Sequence, residues 1–300
     1  MAQRRDKVIL LVIVVGGLII FGVFGGIALL FSGFNDSTFD LSKVGPKVAV
    51  IEVNGVIDSS EDIIRQLKKY QDDGSVKALV LRIDSPGGGV AASQEIYEQL
   101  LNFKKDGKYI VVSMGAVAAS GGYYIACAAD TIFANPGTIT GSIGVIFSFP
   151  VFQNLMDKIG MKLEVVKSGE LKDVGNYSRD MSPKDRAMLQ SVIDDTYKQF
   201  VGVVAEGRGL DTAYVKTIAD GSVFTGNQAV GLRLIDKLGT LEDAIAKAGE
   251  MSDLGSTPRL VKEKKYRRSL LDDFFGKLGI DPEQAKLFTK WPSLEYRFSM

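Results

Sequence analysis

The chain has 300 residues, enough for one large domain and a shorter additional segment. Its 36 basic and 36 acidic residues balance, so the charge gives no signature of a nucleic-acid partner. A single cysteine excludes an intrachain disulfide, and with no histidine a transition-metal centre is not expected; we predict no metal and no cofactor.

The N-terminus contains a continuous apolar stretch, Val8–Phe31, without a charged residue. A helix of this length reaches roughly 36 Å, enough to cross a hydrocarbon core of about 30 Å. Arg4, Arg5 and Lys7 precede it, which predicts a cytoplasmic tail (residues 1–7), an anchor and an extracytoplasmic body. A cleaved signal peptide is the alternative, but the stretch is long for one and no clear cleavage site follows.

Residues 32–46 are polar, with Gly and Pro, and predict a linker to a domain at residues 47–250. Strand-like apolar runs are Lys47–Val53, Val76–Ile83, Lys108–Met114, Thr131–Ala134, Gly144–Phe147 and Met161–Lys167. Amphipathic helices are predicted at Ser59–Asp73 and Val90–Gly107, and after Ser120. This alternation predicts an α/β fold with a largely parallel sheet covered by helices.

The second half is more helical, with predicted helices in Ser182–Gly209, Asp211–Asp220 and Leu241–Met251. Residues 251–300 form a C-terminal extension of uncertain role. Its charged stretch Val261–Arg268 precedes amphipathic Leu270–Ile280, which either contacts a membrane or partner or packs as a terminal helix.

A glycine-rich loop, DSPGGG (Asp84–Gly89), joins a predicted strand to a predicted helix. Consecutive glycines let a backbone approach closely, and their N–H groups lie near a helix N-terminus. The loop lacks the order of a nucleotide-binding motif. It fits an oxyanion hole or a clamp on a peptide backbone, and it also fits a simple tight turn.

Ser120 lies in AVAASGGYYIA, where small residues precede the serine and two glycines follow it. Such a turn can expose a hydroxyl beside a free backbone N–H, although close helix packing also explains the small residues. Because the chain has no histidine, a nucleophilic Ser120 needs a carboxylate or a lysine as base, and a neutral lysine is the better base.

Lys172 lies in a third loop, within Lys167–Ser182. A lysine accepts a proton only in its neutral form, which burial against apolar groups favours. A lone loop lysine is otherwise a solvated surface charge. All three loops follow predicted strands, which favours a shared site.

The motifs DSPGGG, ASGGYYIA, GTITGSIGV (Gly137–Val145) and SGELKD together resemble the short form of the signal peptide peptidase A family of membrane serine proteases. The resemblance runs from about Lys47 to about Ala248, with the motifs in the family's order. It implies a Clp protease/crotonase-like α/β fold, a ββα superhelix preceded by one transmembrane helix. DSPGG alone is shared with Clp proteases and crotonase-like proteins.

The resemblance also implies roles for individual residues. Ser120 matches the nucleophile and Lys172 the general base, Gly121 and Gly88 match the oxyanion donors, and Ser142 matches a residue that orients the lysine. An extended peptide would then pair with the glycine loop, which suggests substrate-binding roles for Gly87, Gly89 and Val90.

The implied protein is an endopeptidase of the cell membrane that degrades remnant signal peptides. Because one short chain contains both motifs, we expect a ring-shaped homo-oligomer in which Lys172 of one copy serves Ser120 of the next. The alternatives are a related outward-facing protease of the stomatin-associated type, a crotonase-like acyl-CoA enzyme, and a non-catalytic membrane scaffold.

Overall fold

The structure is a computed structural model that describes residues 45–263 and 295–297. The chain divides into two units, Met1–Gly45 and Pro46–Met300. The predicted anchor Val8–Phe31 and the amphipathic stretch Leu270–Ile280 lie outside the described residues. Among the helices that are described, none combines the length and apolar character needed to cross a bilayer.

The strands within the described residues are, in chain order, β1 (Lys47–Asn54), β2 (Val76–Ser85), β3 (Gly87–Gly89), β4 (Tyr109–Ala119), β5 (Thr131–Ala134), β6 (Ile139–Gly141), β7 (Val223–Thr225), β8 (Lys237–Leu238), β9 (Leu260–Lys262) and β10 (Glu295–Arg297). Eight of them form one sheet in the order β7-β6-β4-β2-β1-β9, with β5 beside β4 and β8 beside β5. All of these neighbours are parallel except β6 and β7. Strands β3 and β10 form a separate antiparallel pair.

The helices described are α1 (Glu61–Asp72), α2 (Val90–Lys105), α3 (Gly121–Ala126), α4 (Gln153–Lys158), α5 (Pro183–Arg208), α6 (Thr212–Ile218), α7 (Gly226–Gly231) and α8 (Leu241–Met251). A single 3₁₀ turn, Glu170–Asp173, lies between α4 and α5.

Helices cover both faces of the sheet, so its central strands are buried on both sides. One face packs against a large cluster that includes Phe103 of α2, Tyr123 of α3 and Phe200 of α5. The other packs against Ala244 and Ile245 of α8. Burial on both sides is why the central parallel strands are continuous apolar runs.

The predicted α/β architecture with a mostly parallel sheet is confirmed. The helix predicted within Ser182–Gly209 is also confirmed, as α5. Ser182 caps its N-terminus, with Asp185 completing a capping box, and Gly209 ends it in the left-handed conformation.

Two predicted strands are wrong. Gly144–Phe147 forms no regular strand, and Met161–Lys167 is irregular, with every side chain exposed. Met161–Lys167 has strand-like apolar residues, but no other described segment pairs with its backbone. A strand needs such a partner, so a local pattern alone does not make one.

Candidate active site

Ser120 occupies a strained turn between the end of β4 and the start of α3. Strand β4 extends beyond its predicted end and stops only at Ala119, next to the serine. Ser120 has φ 53° and ψ −117°, a conformation rare for a residue with a side chain. It is 1% exposed, and its Oγ has no hydrogen-bond partner in the described structure. A buried hydroxyl without a partner is unusual in a folded protein.

Backbone hydrogen bonds fix Ser120 against β6. Its N–H donates to the Gly141 carbonyl at 2.8 Å, and its carbonyl accepts from Tyr124 N–H at 2.8 Å. The next residue after Gly141 is Ser142, which is buried and also has a positive φ, 50°. The two predicted serines are therefore held close to each other by the β4–β6 pairing.

Ser142 also lines an open cavity of about 580 Å³. Asp194 of α5 and Asp220 from the loop before β7 line the same cavity, together with apolar Val145, Ile146 and Ile193. The wall of the cavity beside Ser142 therefore combines carboxylate and apolar groups.

Strand β3 has a chain segment on each side. On one side Ile57 donates its N–H to the Gly87 carbonyl and accepts from Gly89 N–H, both at 2.9 Å. A Cβ on Gly88 would lie 2.3 Å from the Ile57 carbonyl oxygen, so only glycine fits there. On the other side β10 pairs antiparallel with β3, with Tyr296 opposite Gly88.

The predicted oxyanion donors lie next to each other. A Cβ on Gly121 would lie 3.2 Å from the Gly88 nitrogen, and one on Gly87 would lie 2.7 Å from the Gly121 nitrogen. Gly121 directly follows Ser120, and two neighbouring backbone N–H groups next to a nucleophile can stabilise an oxyanion. Val90 begins α2, and its side chain is part of the core.

Lys172 lies in the 3₁₀ turn and is exposed. Its neighbour Asp173 accepts hydrogen bonds from Arg179 at 2.9 Å and Lys167 at 2.6 Å, which hold the pKa of that carboxyl well below its usual range. Arg179 also binds Asp185 and lowers its pKa to about 2. Ser120 Oγ has no hydrogen-bond partner among the described residues, so Lys172 and Ser120 of one chain are not hydrogen-bonded to each other.

Residues 144–181, which we call the exposed segment, present large apolar side chains to solvent. Val166 is fully exposed, and Ile159 is 62% exposed. The others are Ile146, Val151, Phe152, Leu155, Met161, Leu163, Val165 and Tyr177. Apolar surface gathered in this way is typical of an interaction site.

An aromatic pocket around Tyr296 has no counterpart in the sequence predictions. Tyr296 is fully buried, its ring stacked on Tyr124 at 5.1 Å and tilted against Phe200 at 4.6 Å. Its hydroxyl donates to the Thr196 carbonyl at 3.2 Å. A three-residue strand so far along the chain from β3 produces no periodic pattern, so no local signal could have indicated this contact.

The chain is similar in sequence to several known proteases. Residues 102–255 match peptidase family S49, and residues 42–138 match the Clp protease family. A Synechocystis sp. protein named "Putative protease" is 46% identical over 210 residues, which are 69% of this chain and 75% of the relative. The Enterococcus faecium "Putative signal peptide peptidase SppA" is 39% identical over 236 residues, 73% of this chain and 69% of the relative. Protease 4 of Haemophilus influenzae is 40% identical over 218 residues, 70% of this chain but only 35% of the relative.

Proposed function

This chain belongs to peptidase family S49, among the relatives of SppA and protease 4, and we propose that it is a membrane-anchored serine endopeptidase with Ser120 as nucleophile and Lys172 as base. The observation that supports the proposal most directly is the buried, strained Ser120, whose hydroxyl is unpaired and whose next residue, Gly121, lies against the Gly88 nitrogen. Membership of a peptidase family also favours a protease over an acyl-CoA enzyme or a scaffold.

The proposed reaction begins when Ser120 Oγ attacks the carbonyl carbon of the scissile peptide bond. Neutral Lys172 Nζ accepts the hydroxyl proton and then gives it to the leaving amine, so that an acyl ester on Ser120 remains. A water molecule, deprotonated by the same lysine, hydrolyses the ester and releases the second product. Ser142, adjacent to Ser120 through Gly141, is proposed to orient the lysine.

The negative charge on the carbonyl oxygen is proposed to be stabilised by the N–H groups of Gly88 and Gly121. Each such donor accounts for about 10² to 10³ in rate in serine proteases. An extended peptide would pair with the edge of β3 opposite Ile57, the edge that β10 occupies in the structure. Gly87 and Gly89 would hold this peptide by backbone contacts, and Val90 would support the loop from the core.

We also propose that Lys172 acts on the Ser120 of a neighbouring copy in a ring. In one chain Lys172 is exposed and the Ser120 hydroxyl has no partner. The exposed segment that contains Lys172 has apolar surface to bury against a second copy. That burial would also favour the neutral lysine that a base requires.

The uncharged stretch Val8–Phe31, with basic residues before it, supports an anchor that leaves the catalytic domain outside the cytoplasm. A relative is named a signal peptide peptidase, and remnant signal peptides are the substrates proposed for this chain. An anchored protease facing outwards is placed to reach such peptides in the membrane.

Labelling with a fluorophosphonate probe tests the nucleophile. The full-length chain in detergent should be labelled and should hydrolyse unfolded protein, and Ser120→Ala should lose both activities. Ser113→Ala, which changes a buried serine of β4 outside the turn, is the matched control and should keep both. A wild-type chain that is folded but neither labelled nor active would overturn the proposal.

Complementation tests the sharing of sites between copies. Ser120→Ala and Lys172→Ala chains are each expected to be inactive alone. Co-assembled, they should regain part of the wild-type activity, because some interfaces then combine an intact serine with an intact lysine. Mixed assemblies without activity would contradict the shared site and leave the Ser120 nucleophile unaffected.

A further inference from the structure

Strand β4 changes its neighbour on one edge partway along its length. Its first part, Val111–Ser113, pairs with Thr131–Phe133 of β5, and its last part, Val117–Ala119, pairs with Ile139–Gly141 of β6. Both pairings are parallel, and β2 lies along the other edge of both parts. The change of neighbour therefore takes place within residues 114–117.

A bulge in β4 accompanies this change. Ile83 of β2 pairs with Met114 of β4, but Ser85, two residues later, pairs with Ala118, four residues later. Strand β4 thus has two more residues than β2 between these pairs. Bulges bend a strand and re-aim the residues that follow, and they are common next to active sites. The residue that follows here, two positions after Ala118, is Ser120.

Two side chains, those of Asp84 and Thr138, bind the bulged backbone. Asp84 Oδ1 accepts from the Val117 N–H at 3.0 Å. The buried Thr138 hydroxyl donates to the Gly115 carbonyl at 2.7 Å, and it accepts from the Asn135 N–H at 3.1 Å. One donor and one acceptor of the bulge are thus held by side chains.

Asp84 also links the bulge to the glycine strand. A Cβ on Gly115 would lie 2.8 Å from Asp84 Cγ, so only glycine allows this close packing. The Asp84 carbonyl accepts from the N–H of Gly55, next to the end of β1, at 2.9 Å. The hydroxyl of the following residue, Ser85, accepts from the Gly87 N–H at 3.1 Å. Asp84 therefore lies between the strand that leads to the proposed nucleophile and the strand of the proposed oxyanion donor.

We propose that Asp84 and Thr138 are positioning residues, which hold the bulge of β4 and thereby place Ser120 relative to Gly88. This inference rests on the proposed serine endopeptidase function. Both side chains act through the β4 backbone, whose last residue directly precedes Ser120. What the reaction requires of Asp84 is an oxygen that accepts from the Val117 N–H, and its negative charge is dispensable.

Loss of either contact should lower kcat more than it raises KM. Without its acceptor the Val117 N–H is free to move, and Ser120 moves with the strand. A displacement of about 1 Å at a reacting group can cost about 100-fold in rate. Peptide binding is proposed to use the backbone of β3, which keeps its two bonds to Ile57, so KM should change little.

Two replacements of Asp84 separate the hydrogen bond from the charge. In the full-length chain in detergent, Asp84→Ala should lower kcat for an unfolded-protein substrate by about 30- to 100-fold. Asp84→Asn keeps an oxygen that can accept from Val117 and should stay within about fivefold of wild type.

Asp130→Ala is the matched control for Asp84→Ala. Asp130 Oδ2 accepts from the Ile110 N–H at 2.8 Å, the same kind of bond at the opposite end of β4. Both alanine variants lose a hydrogen bond, so both should lower Tm. Only Asp84→Ala should lower kcat, because only this bond lies next to the bulge.

Thr138 provides a second pair of variants. Thr138→Ser keeps a hydroxyl that can donate to the Gly115 carbonyl, whereas Thr138→Val has nearly the same shape without it. We expect kcat to fall about tenfold or more in Thr138→Val and to stay within about threefold of wild type in Thr138→Ser. The rate of fluorophosphonate labelling should follow kcat, since the probe reacts with the same Ser120 hydroxyl. Asp84 is at the surface, so its variants should fold even where the buried valine substitution does not.

The outcomes distinguish this inference from the function on which it rests. An active wild type combined with an unchanged kcat in Asp84→Ala overturns the positioning role and leaves the protease intact. Equal losses of kcat in Asp84→Ala and Asp84→Asn, or in Asp84→Ala and Asp130→Ala, overturn it as well. A folded wild type that is neither labelled nor active overturns the endopeptidase proposal itself.

Discussion

Ser120 and Lys172 lie in two regions with opposite physical surroundings. Ser120 is 1% exposed and fixed by backbone hydrogen bonds between β4, β6 and α3. Lys172 is exposed, in a segment that contributes no strand to the sheet and presents Val166 fully to solvent. The sheet thus fixes the proposed nucleophile, the glycine strand and the aromatic pocket within one chain, whereas the proposed base Lys172 lies exposed on the surface of that chain.

Replacing Lys172 tests the exposed region most directly. Lys172→Ala should lower kcat by about 10² to 10⁴, the usual contribution of a general base. Lys167→Ala is the control, since Lys167 lies in the same segment but pairs with Asp173. Its effect should stay below about fivefold, as expected for a partly exposed ion pair. Peptide hydrolysis under single-turnover conditions measures both, and equal losses would remove Lys172 from the chemistry.

Replacing Gly88 tests the prebuilt region. A Cβ at this position would lie 2.3 Å from the Ile57 carbonyl oxygen, so Gly88→Ala must shift the loop and with it a proposed oxyanion donor. We expect kcat to fall by about 10² to 10³. Gly137→Ala, where nothing lies within 4 Å, should keep wild-type activity. Steady-state kinetics with a circular dichroism check of folding would show this, and an active Gly88→Ala chain would contradict the oxyanion assignment.

A charge on the exposed segment tests whether another copy covers it. Val166→Asp should weaken self-association by about 2 kcal/mol, roughly 30-fold in Kd, if the side chain is buried on assembly. Leu238→Asp replaces a leucine 41% exposed on β8 and should leave assembly unchanged. Sedimentation velocity over a dilution series measures both; identical masses for Val166→Asp and wild type would show that this surface is not an interface.

Acid should loosen the exposed segment before the sheet. Arg179 lowers the pKa of Asp185 to about 2, so its stabilising effect is complete above the unfolded value of about 4 and is lost as pH falls through about 2. Arg179→Gln should lower Tm at pH 7 by a few degrees and flatten this acid response. Lys184→Gln, which removes the exposed pair with Glu170, should change neither. Scanning calorimetry from pH 7 to pH 2 measures the difference, and a variant with the wild-type acid profile would contradict the assigned role of Arg179.

The sequence predicted the central sheet well because its strands are buried and almost wholly apolar. Helix α5 could be predicted equally well, since Ser182 and Pro183 favour the start of a helix and Gly209 favours its end. The loops that contain Ser120 and Gly88 could also be located, because tight turns of this kind favour glycine and small residues, which are visible in the sequence.

The short strands and the tyrosine pocket could not be predicted. Strands β6 to β9 have two or three residues each, too few for a periodic pattern. The pairing of β10 with β3 depends on a contact between residues more than two hundred positions apart, which only the folded chain reveals. The opposite error occurs at Met161–Lys167, where a strand-like pattern predicted a strand but no described strand pairs with the segment.

Because β3 consists of three glycines, it separates backbone pairing from side-chain contact at this edge. Gly87, Gly88 and Gly89 offer only backbone groups to β10, so a substitution there adds no side-chain contact with that strand and instead disturbs the loop. The ring of Tyr296 is contacted instead by side chains of the surrounding helices, Tyr124 of α3 and Phe200 of α5. Backbone pairing with β10 and side-chain contact with it are thus encoded in different residues, so α3 and α5 can change while the glycine strand stays constant.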